Sequence, residues 1–158
     1  MNDALILQHP RRRPADRLAE PAGVAALEAA HPHLDTPEMM AAIRAGLPVA
    51  EFDALREMLG LTVEELAQKI GISVATLARR RHDRAPLDPA HGDRVVRYAR
   101  LYWLAAQLFD HREESARNWL RRPARALGGE VPLDYAETEP GAREVENLIG
   151  RLEHGVYT

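Results

Sequence analysis

Cysteine is absent from the 158 residues, so the chain has no disulfide frame, no thiolate metal ligand and no thiol nucleophile. Nothing in that usage argues for secretion, and the first residues lack an apolar core of signal-peptide length. No run approaches the ~20 apolar residues that a membrane span requires. A cytoplasmic protein with no membrane partner is the expectation. Lys69 is the only lysine, so nearly all positive charge is arginine. Motifs of catalysis are missing as well: there is no glycine-rich phosphate loop, nucleophile elbow or HExxH helix. The one close histidine pair, His31-Pro32-His33, lies in a proline-rich stretch without further ligands. Glu64-Glu65 and Glu113-Glu114 are sequence neighbours on helices and diverge around the axis, so capping explains them better than paired acid-base work. These absences predict a protein that is not an enzyme, with no catalytic residue, no metal and no cofactor.

Bulk positive charge is lacking too. The net charge is −3, which excludes a protein that coats nucleic acid through its whole surface. Any DNA affinity must come from a local patch balanced elsewhere. The balance lies near the C-terminus, where Asp134, Glu137, Glu139, Glu144, Glu146 and Glu153 face only Arg143 and Arg151. A basic region and an acidic end suggest two different partners.

What is present is a helix-turn-helix. In residues 61–82, LTVEELAQKIGISVATLARRRH, Thr62 and Glu65 have the spacing of a capping box, and Leu66, Ala67 and Ile70 form an apolar stripe. Gly71 stands where the chain must turn left-handed, Ser73 caps the next helix, and Ile72 and Leu77 fill the wedge between the two. A helix held at about a right angle to its support can enter a major groove with its first residues at base edges. That geometry presents Ser73, Val74, Ala75, Thr76 and Arg79 to DNA. Arg79, Arg80, Arg81 and Arg84 follow within two turns, too many for one face, so some should meet phosphates and one or two a guanine. The alternative is a helical hairpin in a core with solvated arginines.

The rest of the chain reads as helices around this unit, an all-α fold whose 46% hydrophobic content suffices for one sizeable core or two small ones sharing an interface. Residues 1–35, with HPRRRPADR, have no sustained period and read as a loose arm, either touching DNA or simply solvated. Residues 36–88 form the helix-turn-helix domain. Thr36-Pro37 opens its first helix and Gly46 closes it; Pro48 opens the second, with Val49, Phe52, Leu55, Met58 and Leu59 on one face before Gly60. Residues 89–158 form a smaller, mainly helical second domain. Its long helix, from Asp88-Pro89 to about Phe109, is apolar over most of its circumference, which fits either a subunit interface or a helix central to one core. Arg94, Arg97 and Arg100 line its remaining side, facing DNA or paired with acids. A shorter helix follows with Asp110 as cap, then a forced turn at Gly128-Gly129, and a last helix with Val145, Leu148, Ile149 and Leu152 as its stripe. Gly155 ends it, and Val156 and Tyr157 can fold back as a hydrophobic cap.

The helix-turn-helix, PLDPAHGDRVVRYARLYWLAAQLF, the WL before RRPARALGG, and PLDYAETEPGAREVENLIGRLEHGVY together resemble the Xre-like antitoxins of RES-domain toxin–antitoxin pairs, the Xre/MbcA/ParS group. The resemblance covers roughly residues 48–158, and its specific part is the C-terminal segment. It implies an antitoxin that binds and inhibits a RES-domain toxin, an enzyme that destroys NAD, and that represses its own operon as a homodimer or a larger assembly with toxin. It places DNA reading on Ser73, Thr76, Arg79 and Arg80, and toxin contact on Leu148, Arg151, Glu153, His154, Gly155, Val156 and Tyr157. Two places depart from the pattern: Arg81 replaces a more neutral residue, and His91-Gly92 replaces a more polar pair. The first bears on how the recognition helix ends, the second on how the long helix starts. The competing reading is a stand-alone helix-turn-helix regulator whose C-terminal half dimerises or binds a small ligand.

Overall fold

The computed structural model describes residues 34–155; the N-terminal arm before Leu34 and the terminal Val156, Tyr157 and Thr158 lie outside them. The first helix, α1 (Pro37–Ala45), starts where the Thr36 hydroxyl accepts from the Met39 N–H at 3.2 Å. It stops at Gly46, which has φ 98° and lies so close to Pro86 that a Cβ would sit 2.9 Å from that ring. In α2 (Val49–Leu59), Val49, Phe52, Leu55, Met58 and Leu59 are all buried, as the spacing predicts. Helix α3 (Val63–Ile70) opens on the full capping box: Thr62 accepts from the Glu65 N–H and the Glu65 carboxylate accepts from the Thr62 N–H at 2.8 Å. That second bond holds the Glu65 carboxyl below its usual range. Gly71 turns the chain at φ 77°, and Ser73 caps α4 (Val74–Asp83). Ala67, Ile72 and Leu77 are buried where the two helices cross.

Helix α5 (Pro89–Leu108) packs against α1, α2 and α3 on one side and against α6 (Glu113–Leu120) and α8 (Glu139–Glu153) on the other. Between α6 and α8 come a 3-10 turn (Arg125–Leu127) and the one-turn α7 (Pro132–Tyr135). One continuous hydrophobic cluster therefore spans the helix-turn-helix and the C-terminal helices. The apolar circumference of α5 is largely used inside a single chain: Val95, Tyr98, Ala99, Leu101, Tyr102, Ala105 and Ala106 are buried, and Trp103, Leu104, Leu108 and Phe109 are half-buried against the same core. The reading of α5 as a helix central to one core accounts for it. Its arginines are paired within the chain: Arg97 with Asp93 and Glu139, Arg100 with Asp35, Glu139 and Glu146, while Arg94 donates to the Ile70 carbonyl at 2.7 Å. Burial opposes the Arg100 charge, but the hydrogen bond and charge of Glu146, with Asp35 and Glu139, outweigh it and raise its pKa.

Asp110 does not cap α6. Asp110 and His111 instead take left-handed conformations, φ 53° and 60°, and reverse the chain after α5, so that Arg112 precedes the helix without a side-chain cap. Short polar side chains tolerate that region better than most, and the turn takes precedence over the cap. Arg81 and Gly92, the two departures noted in the sequence, both take part in packing. Arg81 pairs with Asp53 of α2 at 2.8 Å, fastening the end of the recognition helix. Gly92 is buried against Leu47, where a Cβ would come within ordinary contact at 3.4 Å, so the start of α5 packs on the loop after α1.

Candidate functional site

The outward face of α4 consists of Val74, Ala75, Ala78, Arg79 and His82, all exposed, with Ser73 exposed just before them. Thr76 is half-buried. Its N–H donates to the Ser73 hydroxyl at 3.0 Å, and that hydroxyl donates in turn to the Thr76 hydroxyl at 2.8 Å. Sequence spacing alone does not divide the four arginines, but the fold does. Arg80 donates to the Pro86 carbonyl at 2.6 Å and to Asp88 at 2.8 Å, so it ties α4 to the start of α5. Arg81 is held by Asp53. Arg79 and Arg84 are exposed and have no carboxylate partner among the described residues. Arg84 sits at φ 54° as the left-handed end of α4.

This division yields a prediction. Arg79→Ala should weaken binding to promoter DNA by ~1–3 kcal/mol with little change in melting temperature. Arg80→Ala should instead lower stability by about 1–2 kcal/mol, because it strips the Pro86 carbonyl and Asp88 of a charged donor. Melting curves and fluorescence anisotropy at fixed salt on both variants decide it; a stable Arg80→Ala that alone loses DNA would reverse the assignment.

The second region is the C-terminal end. Helix α8 is capped by the Thr138 hydroxyl, which accepts from the Gly141 N–H, and it buries Gly141, Ala142, Val145, Leu148 and Ile149. Leu148, expected to meet a partner, is therefore core, only 5% exposed; it anchors the helix. Arg151 is half-buried and paired with Glu144 at 3.2 Å. Glu153, His154 and Gly155 are exposed, with the His154 ring nitrogen Nδ1 2.7 Å from the Gly150 carbonyl and Gly155 at φ 67°. Val156 and Tyr157 fall outside the described residues. Much of the acidic balance is internal: Glu139 and Glu146 meet Arg97 and Arg100, and Lys69 meets Asp134. Around α7 lies an open groove of about 540 Å³ lined by Glu130, Asp134, Tyr135, Glu137, Thr138 and Glu144.

Some structural residues carried no signal in the sequence. Arg117 donates to the Met58 carbonyl and Arg121 to the Gly60 carbonyl, so α6 closes the exposed end of α2. Tyr98, fully buried, donates to the Leu133 carbonyl at 3.3 Å, and burial pushes its phenol pKa far up. No helix among the described residues is long and apolar enough to cross a membrane.

Two family models match the chain in tandem: an antitoxin Xre-like helix-turn-helix domain over residues 38–100, and the antitoxin Xre/MbcA/ParS C-terminal toxin-binding domain over 104–155. An antitoxin Xre from Photorhabdus laumondii is 31% identical over 127 residues, covering 80% of this chain and 86% of the relative. One from Yersinia enterocolitica is 34% identical over 116 residues, 73% of this chain and 78% of the relative. A protein from Sphingobium named Prs ADP-ribosylating antitoxin is 28% identical over 122 residues, 69% and 75%. Antitoxins are a non-catalytic class, and the helix-turn-helix supplies the DNA-binding region. With an Xre-like reader on α3 and α4 and a toxin-binding domain ending at Gly155, the chain belongs to the Xre/MbcA/ParS family of antitoxins.

Proposed function

We propose that this antitoxin neutralises a RES-domain toxin that consumes NAD, covering the toxin's active site with its C-terminal end, and represses its own operon through α4. The observation that carries the reading is the toxin-binding match over residues 104–155, whose last helix buries its apolar side and leaves Glu153, His154 and Gly155 exposed at its end. A glycine there lets backbone approach a pocket, and an anchored helix offers Glu153, His154 and Gly155 at low entropy cost, with Val156 and Tyr157 next in sequence. The Sphingobium relative has ADP-ribosylation in its name. That transfer takes ADP-ribose from NAD, so cleavage of the nicotinamide bond is the step it shares with NAD degradation. Toxin contact then falls on Arg151, Glu153, His154, Gly155, Val156 and Tyr157, and DNA contact on Ser73, Val74, Thr76, Arg79 and Arg84. The working division is a reader over residues 36–88 and a toxin-binding part over 89–158, joined through α5.

Co-expression with a RES-domain protein from the same operon tests this reading. Co-purification of the two, with NAD and growth restored relative to toxin alone, is the expected outcome; unprotected NAD despite folded antitoxin would refute it. A homodimer is also expected, because a repressor reading two half-sites needs twofold symmetry. Light scattering of the antitoxin alone at micromolar concentration checks this, and a clean monomer would rule out a stable preformed dimer. Promoter binding should fall steeply with salt, since phosphate contacts release counterions.

A further inference from the structure

We propose that the recognition helix specifies part of its operator through apolar contact between Val74 and the C5-methyl group of a thymine. The inference rests on α4 being the DNA reader and adds what it reads. Val74 is 43% exposed, and it and Met40 are the exposed large hydrophobic residues among those described. It occupies the first position of α4, the part of a recognition helix that reaches base edges. The polar groups beside it have little left to offer. The Ser73 hydroxyl gives its proton to Thr76 and accepts from the Thr76 N–H, so among the side chains of the first turn only the Thr76 hydroxyl proton is left to donate. Ala75 and Ala78 continue the same outward face without a polar atom, and Arg79 is the first strong donor along it. A face of this kind offers little to the amino and ring-nitrogen pattern of adenine or to the amino group of cytosine. It does fit the thymine methyl, the one apolar group that a base pair shows in the major groove. An exposed valine elsewhere would carry no such meaning; here it lies within the helix-turn-helix match over residues 38–100, at the start of the second helix of the unit.

The test uses the full-length protein and its own promoter fragment. Each thymine is replaced singly by deoxyuridine, which removes only the methyl group, and affinity is measured by anisotropy at fixed salt. One thymine in each half-site should show about a fourfold loss, the worth of one buried methyl. Val74→Ala should bind the natural promoter more weakly by a similar factor and should no longer distinguish thymine from uracil at that position. Its melting temperature should match the wild type, because an exposed side chain is replaced. If Val74→Ala keeps the full preference for thymine, or if no uracil substitution weakens the wild type, the proposal is overturned while α4 can remain the reader. If Arg79→Ala and Val74→Ala both leave promoter affinity unchanged, or if the promoter is not bound at all, the reader assignment itself fails and the proposal with it.

Discussion

Deleting residues 154–158 should produce a folded antitoxin that still binds its promoter but no longer protects cells from the toxin. The structural loss is small: the His154 and Gly155 amides donate to the Gly150 and Leu152 carbonyls, and the end of a helix that is anchored about one turn earlier at Ile149 should fray without spreading. Such a cap is worth about 1 kcal/mol. The functional loss should be large, because the deleted residues are the ones proposed to enter the toxin's cleft. Melting temperature, promoter binding, cellular NAD and growth under toxin expression separate the two. Tyr157→Ala should give a partial defect, since a central aromatic anchor often carries ~2 kcal/mol, about thirtyfold in affinity. A folded, tail-deleted protein that still rescues growth would reject occlusion by the tail and move inhibition to the outward face of α8.

Gly141→Ala should destabilise the protein by about 3 kcal/mol, against the usual gain of ~1 kcal/mol when alanine replaces a helical glycine. Gly141 lies in the first turn of α8, where α7 passes so close that a Cβ would overlap the Tyr135 carbonyl oxygen. That oxygen is backbone and cannot swing aside as a side chain would. Gly150 is the control: it lies in the same helix with open space where its Cβ would be, so Gly150→Ala should stabilise. Urea midpoints of the two variants should move in opposite directions. If both move alike, the close approach of α7 to α8 is wrong.

The helix-turn-helix was legible because its signals are local. Thr62, Glu65, Gly71 and Ser73 each act within four residues, and the bonds they imply are all present. The all-α class and the buried faces of α2, α5 and α8 follow from period alone. Long-range pairing was not legible. Arg79, Arg80, Arg81 and Arg84 look alike in a sequence, and only the fold puts Asp88 beside Arg80 and Asp53, 28 residues away, beside Arg81. Likewise Arg97 and Arg100 offered two readings until Glu139 and Glu146 stood opposite them. Asp110 had the spacing of a cap, but the sharp reversal after α5 claimed its backbone first. Leu148 shows how a residue carried over from a family pattern can belong to the support of a surface instead of the surface itself.

The shared core around α5, closed by the arginines that reach from α6 and α5 to the last carbonyls of α2 and α3, has a thermodynamic consequence. The two binding faces are therefore expected to melt together. Any partner that prefers the folded chain adds RT ln(1 + [L]/Kd) to the stability of every element in that unit, including those it never touches. Toxin held at one end therefore shields the recognition helix from proteases that need an opened chain, and operator DNA does the same for the far end. Antitoxin without either partner should then have the shortest lifetime under proteolysis, set by how often this single unit opens.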